Sequence, residues 1–418
     1  MIRRDLLLTV FGIGAGQAIL LVAMPFLARA YGPAAFGTYS VTVAVAGVIA
    51  TVSALRFDLA VSGAVDTDVA SLTRASFLLP LIVVPLAIGI LALPLQLGLT
   101  ARLPYRSGDL PLIGVIAFFQ GWVLVGSGLS TRFGAFAVLA AAKIVQPLVF
   151  ALTALLVFDN LPLSMAIGWI IALISTTPSL RRISIRTGWQ DTIEAVKRMW
   201  RFPAISAPMA LLDVLALSLP LLIIASLFGD RSAGNYAQVQ RLIGAPLVLV
   251  ATAGGQTFIK HAGDRIRAAI PVLPLLVRFV LAMLALVGVV TLAVAVAGHA
   301  VLTILVGSEW RTDTEFLLLA LLPVLCRVIA SPVSSILILT NRIGTLGLWQ
   351  ISYFAITATT LLVASNRLGF DGTLAALAVS EFVMYSIYLF LSVRAARAAA
   401  ATSTPSVRAD ELVHPASS

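Results

Sequence analysis

Several ionisable side chains lie inside long apolar stretches of this sequence, and five of them are Lys143, Asp213, Arg241, Arg327 and Glu381. A charge at the centre of a lipid bilayer costs about 2.5–3.5 kcal/mol, so such residues usually face a polar cavity or an opposite charge. Three of the five are cationic, and a cation that is held away from water stabilises an anion beside it. Arginine in particular binds phosphate oxygens in a bidentate manner. The pattern therefore predicts a site for an anionic group that contains Arg241, Lys143 and Arg327.

The two acids are candidates for ion coupling, in which Asp213 or Glu381 carries a proton or a sodium ion. The structural alternative is an internal salt bridge of Glu381 with Lys143 or Arg327. Arg29 is a fourth candidate cation for the anion site. Its position near the end of an apolar stretch also suits snorkelling to the membrane surface.

Two of the buried cations share one face of a predicted helix with other polar residues. Faces of this kind line a polar cavity rather than contact lipid. Their residues are Gln238, Arg241, Thr252 and Gln256 in one stretch, and Arg327, Ser331 and Ser334 in another.

The elements that carry these residues are predicted to be membrane-spanning helices. Of the 418 residues, 60% are hydrophobic and 11% are charged, which is too few charges to cover the surface of a soluble domain. Apolar stretches near 20 residues recur throughout, as expected for an all-α polytopic membrane protein with about twelve transmembrane helices. We place the spans at 6–29, 36–55, 75–98, 110–130, 133–157, 162–180, 203–227, 236–258, 271–297, 315–339, 345–364 and 371–393.

A short motif occurs twice, about half a chain apart. The first copy runs from Tyr31 to Tyr39 and the second from Phe228 to Tyr236, an offset of 197 residues. Each copy is an aromatic residue and a glycine, followed by Gly-x-Tyr at the same spacing. The repeat predicts a duplicated bundle, although glycine and tyrosine are also common at membrane interfaces.

The duplication divides the chain into two six-helix lobes around a central cavity. The N-terminal lobe is placed at 1–180 and the C-terminal lobe at 203–394. A cytoplasmic amphipathic linker at 181–202 joins them, because Trp189, Ile193, Val196 and Trp200 fall at helical spacing. An ordinary linker is the equal alternative. The tail at 395–418 is predicted to be disordered and cytoplasmic.

The net charge of +10 fits a membrane protein better than a nucleic-acid-binding one. Most lysines and arginines outside the spans lie on the side of the N-terminus, so the positive-inside rule places both termini in the cytoplasm. One cysteine and three scattered histidines form no metal-ligand set. No nucleotide-binding motif occurs, and no segment outside the spans exceeds about 25 residues. We therefore expect neither an enzyme nor a cofactor.

Several segments together resemble the polysaccharide and O-antigen flippases. They are Leu27 to Tyr39, Leu55 to Val61, Asn235 to Pro246, and Gly307-Ser308-Glu309-Trp310. Arg56, Phe57 and Asp58 stand where family members often carry Arg-Tyr-Glu, so the aromatic and acidic characters are kept. Arg241 lies where the family tends to place an arginine. The resemblance implies the fold of the multidrug/oligosaccharidyl-lipid/polysaccharide exporter superfamily.

The resemblance and the buried cations together predict a flippase. It would move polyprenyl-diphosphate-linked oligosaccharide or polysaccharide repeat units from the inner to the outer leaflet of a bacterial inner membrane by alternating access. Its partners would be the lipid-linked oligosaccharide, the bilayer, and polymerase or assembly proteins of O-antigen, lipopolysaccharide or exopolysaccharide synthesis.

Three other functions stay open from the sequence. A multidrug or small-molecule antiporter of the same superfamily would favour acidic rather than basic cavity residues. A membrane glycosyltransferase, polymerase or ligase would need larger outer loops. A scaffold without transport activity would not need the buried charges at all.

Overall fold

The computed structural model describes residues 2–99, 103–182, 188–268 and 270–402, with side chains from Gly12 to Ala398. Across these ranges the chain is helical, with short turns and no strand. The first seven helices are α1 (Ile2–Ser53), α2 (Phe57–Gly63), α3 (Asp66–Gln96), α4 (Leu110–Arg132), α5 (Phe136–Leu156), α6 (Leu161–Leu180) and α7 (Trp189–Arg198). The remaining eight are α8 (Ala207–Val239), α9 (Ala245–Arg267), α10 (Leu273–Ala293), α11 (His299–Val306), α12 (Thr314–Ala330), α13 (Ser335–Leu339), α14 (Ile343–Ser365) and α15 (Gly369–Thr402).

Ten helical stretches within the described ranges are long and apolar enough to cross a membrane. Two of them are too long for a single crossing, since Gly12–Ser53 has 42 residues and Phe202–Arg267 has 66. Both stretches are interrupted by a glycine with non-helical backbone angles, Gly32 in the first and Gly229 in the second. Each stretch therefore crosses twice. The prediction of an all-α protein with about twelve transmembrane helices is confirmed.

Some boundaries differ from the sequence prediction. The third crossing begins at Asp66 rather than near residue 75, because Asp66 and Asp68 occupy the first helical turn, where negative charge is favourable. α15 continues past residue 394 to Thr402. The rest of the predicted tail, 403–418, lies outside the described residues.

Successive crossings alternate in direction, so the bundle has two ends. We call the end that holds both copies of the repeated motif the repeat end, and the end that holds α7 the linker end. Six crossings precede α7 and six follow it. The two lobes touch most extensively through α1 and α8.

The two copies of the repeated motif pack against each other. Gly32 has φ 70° and ψ 174°, and Gly229, 197 residues later, has φ 81° and ψ 173°. Residues with a Cβ atom rarely adopt such angles. The sequence repeat is therefore also a repeat of backbone geometry.

The contact between the copies is reciprocal. A Cβ atom on Gly37 would overlap the backbone of Asp230, and a Cβ atom on Gly234 would overlap the backbone of Pro33. The same offset of 197 residues relates Pro33 to Asp230 and Gly37 to Gly234. Such reciprocal contacts are expected where a local two-fold axis relates two equivalent motifs.

Polar contacts close the repeat end around this pair of glycines. Trp310 Nε1 donates to the carbonyl of Ala28 at 3.1 Å, and the Trp310 ring packs edge-on against Phe36 at 5.4 Å. Arg106 pairs with Asp230 at 2.9 Å. Arg29 adds hydrogen bonds from the first lobe to the carbonyls of Ile304 and Leu305 at the same end. We call this set of contacts the seam.

The linker helix α7 belongs to the first lobe by its contacts. Arg198 pairs with buried Asp68 of α3 at 2.6 Å, and the Arg74 guanidinium lies 5.3 Å from the centre of the Trp189 ring. The π-helical stretch Phe202–Ser206 then leads into α8. The predicted linker is thus helical in its second half, while residues 183–187 lie outside the described ranges.

A charge cluster fixes the loop before α12 at the repeat end. Arg311 binds Asp313 at 2.7 Å and Asp371 at 2.6 Å, and its guanidinium lies 4.9 Å from the centre of the Phe316 ring. Asp313 also caps α12 by accepting from the Phe316 amide. Hydrogen bonding by Arg311 lowers the pKa of Asp313 below its ordinary value.

We expect Gly37→Ala and Gly234→Ala each to lower the midpoint of thermal unfolding in detergent by several degrees, because the added methyl group meets backbone across the seam. Gly47→Ala is the matched control, since nothing lies within 4 Å of a Cβ atom there. That control gains about 1 kcal/mol of helix propensity. Equal midpoints for Gly37→Ala and Gly47→Ala would contradict the seam.

Asp313→Asn should destabilise the protein at neutral pH and have no effect in strong acid. The pKa of Asp313 is lowered in the folded protein, so its stabilisation is complete above the ordinary value of 3.8. It is lost as the pH falls below that value. Thermal unfolding of both proteins across this range measures the difference. A gap between them that stays constant with pH would rule out the ion pair as its cause.

Candidate functional site

A cavity lies between the lobes on the linker side of the seam. Its volume is about 370 Å3, and it is lined by α1, α6 and the start of α9. Most lining residues are glycine or apolar residues, including Leu21, Met24 and Leu249. The polar lining side chains are Gln17, Tyr39 and Arg241, and Arg241 is the one charged residue among them.

Arg241 is positioned by an irregular turn of helix. It lies in the π-helical stretch Gln240–Gly244, which ends two residues before Pro246. Proline has no backbone N–H and collides with the carbonyl four residues earlier, so a regular α-helix is disfavoured here. π-helical turns of this kind absorb such a conflict and often occur at functional sites.

The surroundings of Arg241 leave its charge without an anionic partner. The guanidinium lies 4.4 Å from the centre of the Tyr39 ring and 5.9 Å from that of Phe36. Its Nη1 atom is buried and has no hydrogen-bond acceptor in the described part of the chain. The amide atoms of Gln238, three residues earlier, are also buried without partners.

These orphaned groups have an energetic consequence. A cation over an aromatic ring gains about 0.5–2 kcal/mol, whereas a buried donor without an acceptor costs about 1–3 kcal/mol. The ring contact therefore offsets only part of the cost of holding Arg241 inside the bundle. An anionic oxygen in the cavity would satisfy the remaining N–H groups.

The other predicted residues lie in separate places. Arg327, Ser331 and Ser334 line one pocket within the second lobe, on the single face that their spacing indicated. Glu381 is 2% exposed and accepts a hydrogen bond from the Tyr353 hydroxyl at 2.8 Å. Within the described ranges, neither Lys143 nor Arg327 lies within 4 Å of the Glu381 carboxylate.

Lys143 and Asp213 do not line the cavity of Arg241. The backbone carbonyl of Lys143 lies where a Cβ atom of Gly16 would stand, so this part of α5 packs closely on α1. Asp213 is exposed in the second lobe and accepts from Gln350 Nε2 at 3.1 Å. Both residues keep their predicted roles only as hypotheses.

Arg29 lies in the seam. Its Nε atom donates to the carbonyl of Leu305 at 3.1 Å, and Nη2 donates to the carbonyl of Ile304. These contacts join the first lobe to the end of α11. Arg29 therefore bridges the lobes on the repeat side of the cavity instead of lining it.

Arg56 and Asp58 form a corner at the linker end. Arg56 has φ 63°, and its guanidinium lies 3.8 Å from the carboxylate of Asp58. Burial raises the pKa of Asp58, and the nearby Arg56 charge opposes that shift. A Cβ atom on Gly128 would overlap the Asp58 carbonyl, so this corner is also tightly packed on α4.

Two cavity residues were not singled out for this site by the sequence. Tyr39 appeared only as the end of the repeated motif, and Gln17 lay unremarked in the first apolar stretch. Both belong to α1, on the opposite lobe from Arg241. The signal that could have drawn attention to Tyr39 is its place in the repeat, next to the glycines that bring the lobes together.

No family model and no curated protein matches this sequence. Solved structures do match it. The lipid II flippase MurJ in an inward closed conformation superimposes with a TM-score of 0.72, at 11% identity over 95% of this chain and 90% of that one. An inward-facing MATE multidrug resistance transporter of the MOP superfamily gives a TM-score of 0.55, at 15% identity over 95% and 96% of the two chains. The eukaryotic MATE transporter AtDTX14 gives 0.54, at 14% identity over 96% and 98%.

These likenesses define the class of the fold. The chain is a multi-pass membrane protein whose fold is similar to those of the lipid II flippase MurJ and the MATE transporters.

A cysteine at position 17 should react with a charged, membrane-impermeant thiol reagent in the otherwise cysteine-free variant Cys326→Ser. Since the seam closes the repeat end, we expect water and the reagent to enter the cavity from the linker end. Val22→Cys is the control, since Val22 is 67% exposed yet is not among the cavity-lining residues and would face lipid. Labelling at position 22 but not at position 17 would show that the cavity is inaccessible.

Proposed function

We propose that this protein is a flippase for polyprenyl-diphosphate-linked oligosaccharide or polysaccharide repeat units. The observation that carries the proposal is Arg241 in a cavity between the lobes, where its buried Nη1 atom has no hydrogen-bond acceptor among the described residues. A diphosphate supplies the acceptor oxygens that Arg241 lacks, in a geometry that suits bidentate binding. The MOP-superfamily fold supports transport as the general activity.

The cavity also suits a substrate with a long lipid tail. Apart from Gln17, Tyr39 and Arg241 its lining has no polar side chains. The headgroup would lie against Arg241 while the tail stays in the bilayer between the lobes. Polymerase and assembly proteins acting on the same lipid remain proposed partners.

The distribution of charge supports an orientation with the linker end in the cytoplasm of a bacterium. The seam then closes the outer side, and the cavity is open to the inner leaflet. Alternating access would break the seam contacts and bring the lobes together at the linker end. The two lobes, at 1–180 and 203–394, would move relative to each other in this step.

A multidrug antiporter is the second candidate, and one observation weighs against it. Antiported drugs are usually cations, which an acidic cavity attracts. No acid is among the residues that line this cavity, and its one charge is positive. A cationic drug would therefore meet repulsion at Arg241.

The driving ion is also a proposal. Glu381 is the better placed of the two acids, because it is buried and held by a single hydroxyl, that of Tyr353. Asp213 is exposed and bound by Gln350. A proton or sodium ion bound at Glu381 would change the net charge inside the second lobe, and the ion would not enter the cavity of Arg241.

The test measures the leaflet accessibility of labelled polyprenyl-diphosphate oligosaccharide in vesicles that contain the purified protein. Arg241→Ala should slow protein-dependent movement about tenfold or more, since a hydrogen bond to a charged group contributes about 1.5–3 kcal/mol. Arg267→Ala is the matched control, because Arg267 pairs with Asp264 at the linker end, away from the cavity.

Three outcomes separate the candidates. Movement that Arg241→Ala abolishes and Arg267→Ala preserves supports a flippase with Arg241 as its phosphate ligand. Movement unaffected by Arg241→Ala retains the flippase and removes Arg241 from the site. Absence of lipid movement, with uptake of a fluorescent cationic drug in the same vesicles, would establish the antiporter instead.

A further inference from the structure

A second pocket lies inside the second lobe, between α9 and the junction of α12 with α13. Its volume is about 250 Å3. The walls approach closely at Gly255, where a Cβ atom would lie 3.1 Å from that of Pro332. The polar side chains that line the pocket are Thr252, Gln256, Arg327, Ser331, Ser334 and Ser335.

Three of the four hydroxyl groups that line this pocket already donate to the backbone. Ser334 Oγ donates to the carbonyl of Ser331 at 2.7 Å, and Ser335 Oγ donates to the carbonyl of Pro332 at 2.9 Å. Thr252 Oγ1 donates in the same way to Val248. The donors that remain for a ligand are therefore the Ser331 hydroxyl and the N–H groups of Arg327 and Gln256.

Those N–H groups are free in the part of the chain that the structure describes. The side chains of Arg327 and Gln256 make no hydrogen bond and no ion pair there. The facing acid is Glu381 on α15, which interacts electrostatically with Arg327 but lies beyond the 4 Å of an ion pair. Its carboxylate is held by Tyr353. The guanidinium thus keeps its donors for a molecule that enters the pocket.

The pocket shares no lining residue with the cavity of Arg241, although Val248 of the pocket is next to Leu249 of the cavity in the sequence. Gln256 follows Arg241 by fifteen residues of almost continuous helix, about 20 Å at 1.5 Å per residue. A diphosphate is much shorter than this and contacts one site at a time. Gln256 is the nearer of the two to the linker end.

We propose that this pocket is a second anion site, which binds a phosphate or diphosphate group through Arg327 and Gln256. With the linker end in the cytoplasm, an incoming headgroup meets it before Arg241. That order rests on the proposed function, whereas binding of the anion does not. The site would hold the headgroup while the lipid tail remains in the membrane.

The test uses Ser335→Cys in the full chain carrying Cys326→Ser. The rate of N-ethylmaleimide labelling is measured with inorganic pyrophosphate and with sodium chloride of equal ionic strength. Pyrophosphate should slow labelling severalfold and the chloride should not. Arg327→Gln should remove this protection, Arg327→Lys should weaken it, and Arg241→Gln should leave it intact.

A short polyprenyl phosphate in a parallel arm distinguishes the source of the anion. Protection by the lipid at lower concentrations than pyrophosphate assigns the site to a lipid headgroup, and protection by pyrophosphate alone assigns it to a soluble anion. Both results uphold the site.

Two results overturn it. The first is a monodisperse protein that labels readily and gains no protection from either compound. The second is loss of protection in Arg241→Gln to the same extent as in Arg327→Gln, because the anion would then lie at Arg241. Failure of lipid movement in vesicles, with protection intact, would refute the flippase and leave this anion site standing.

Discussion

The close approach of two backbones at the seam is the contact on which the rest of this structure depends. Gly37 and Gly234 each bring a helix onto the main chain of the other copy of the motif, at Asp230 and Pro33. The absence of side chains at these two positions lets α1 and α8 meet near the repeat end. The lobes touch at this contact, and the cavity lies between them on its linker side.

The cavity follows from the seam and from one irregular turn. The π-helical stretch before Pro246 places Arg241 against Tyr39 of the opposite lobe. An aromatic ring is a weak partner for a guanidinium in an apolar setting, and the Nη1 atom is left unsatisfied. A structure optimised for stability alone would replace such a residue with an apolar one. Its presence therefore supports a role in binding.

The sequence predicted the architecture well because hydrophobic length and motif spacing are local properties. Twelve crossings, the repeat and the face of Arg327, Ser331 and Ser334 were all readable from the chain. Which buried charges lie close together could not be predicted from the sequence, since it depends on how each helix is rotated against its neighbours. Arg29 lies in the seam and Lys143 lies apart from Arg241 for that reason. Tyr39 was missed as a cavity residue because its partner is 202 residues away in the sequence.

The attachment of α7 to the first lobe has a mechanical consequence. Arg198 anchors this helix on Asp68, so it travels with α3 as a rigid body. The chain then reaches α8 through Phe202–Ser206, whose π-helical hydrogen bonding is less regular than that of the flanking helices. This stretch is the sole covalent tether between the lobes. Under the proposed alternating access the chain would bend here, and the short length of this stretch would limit how far the two halves separate at that end.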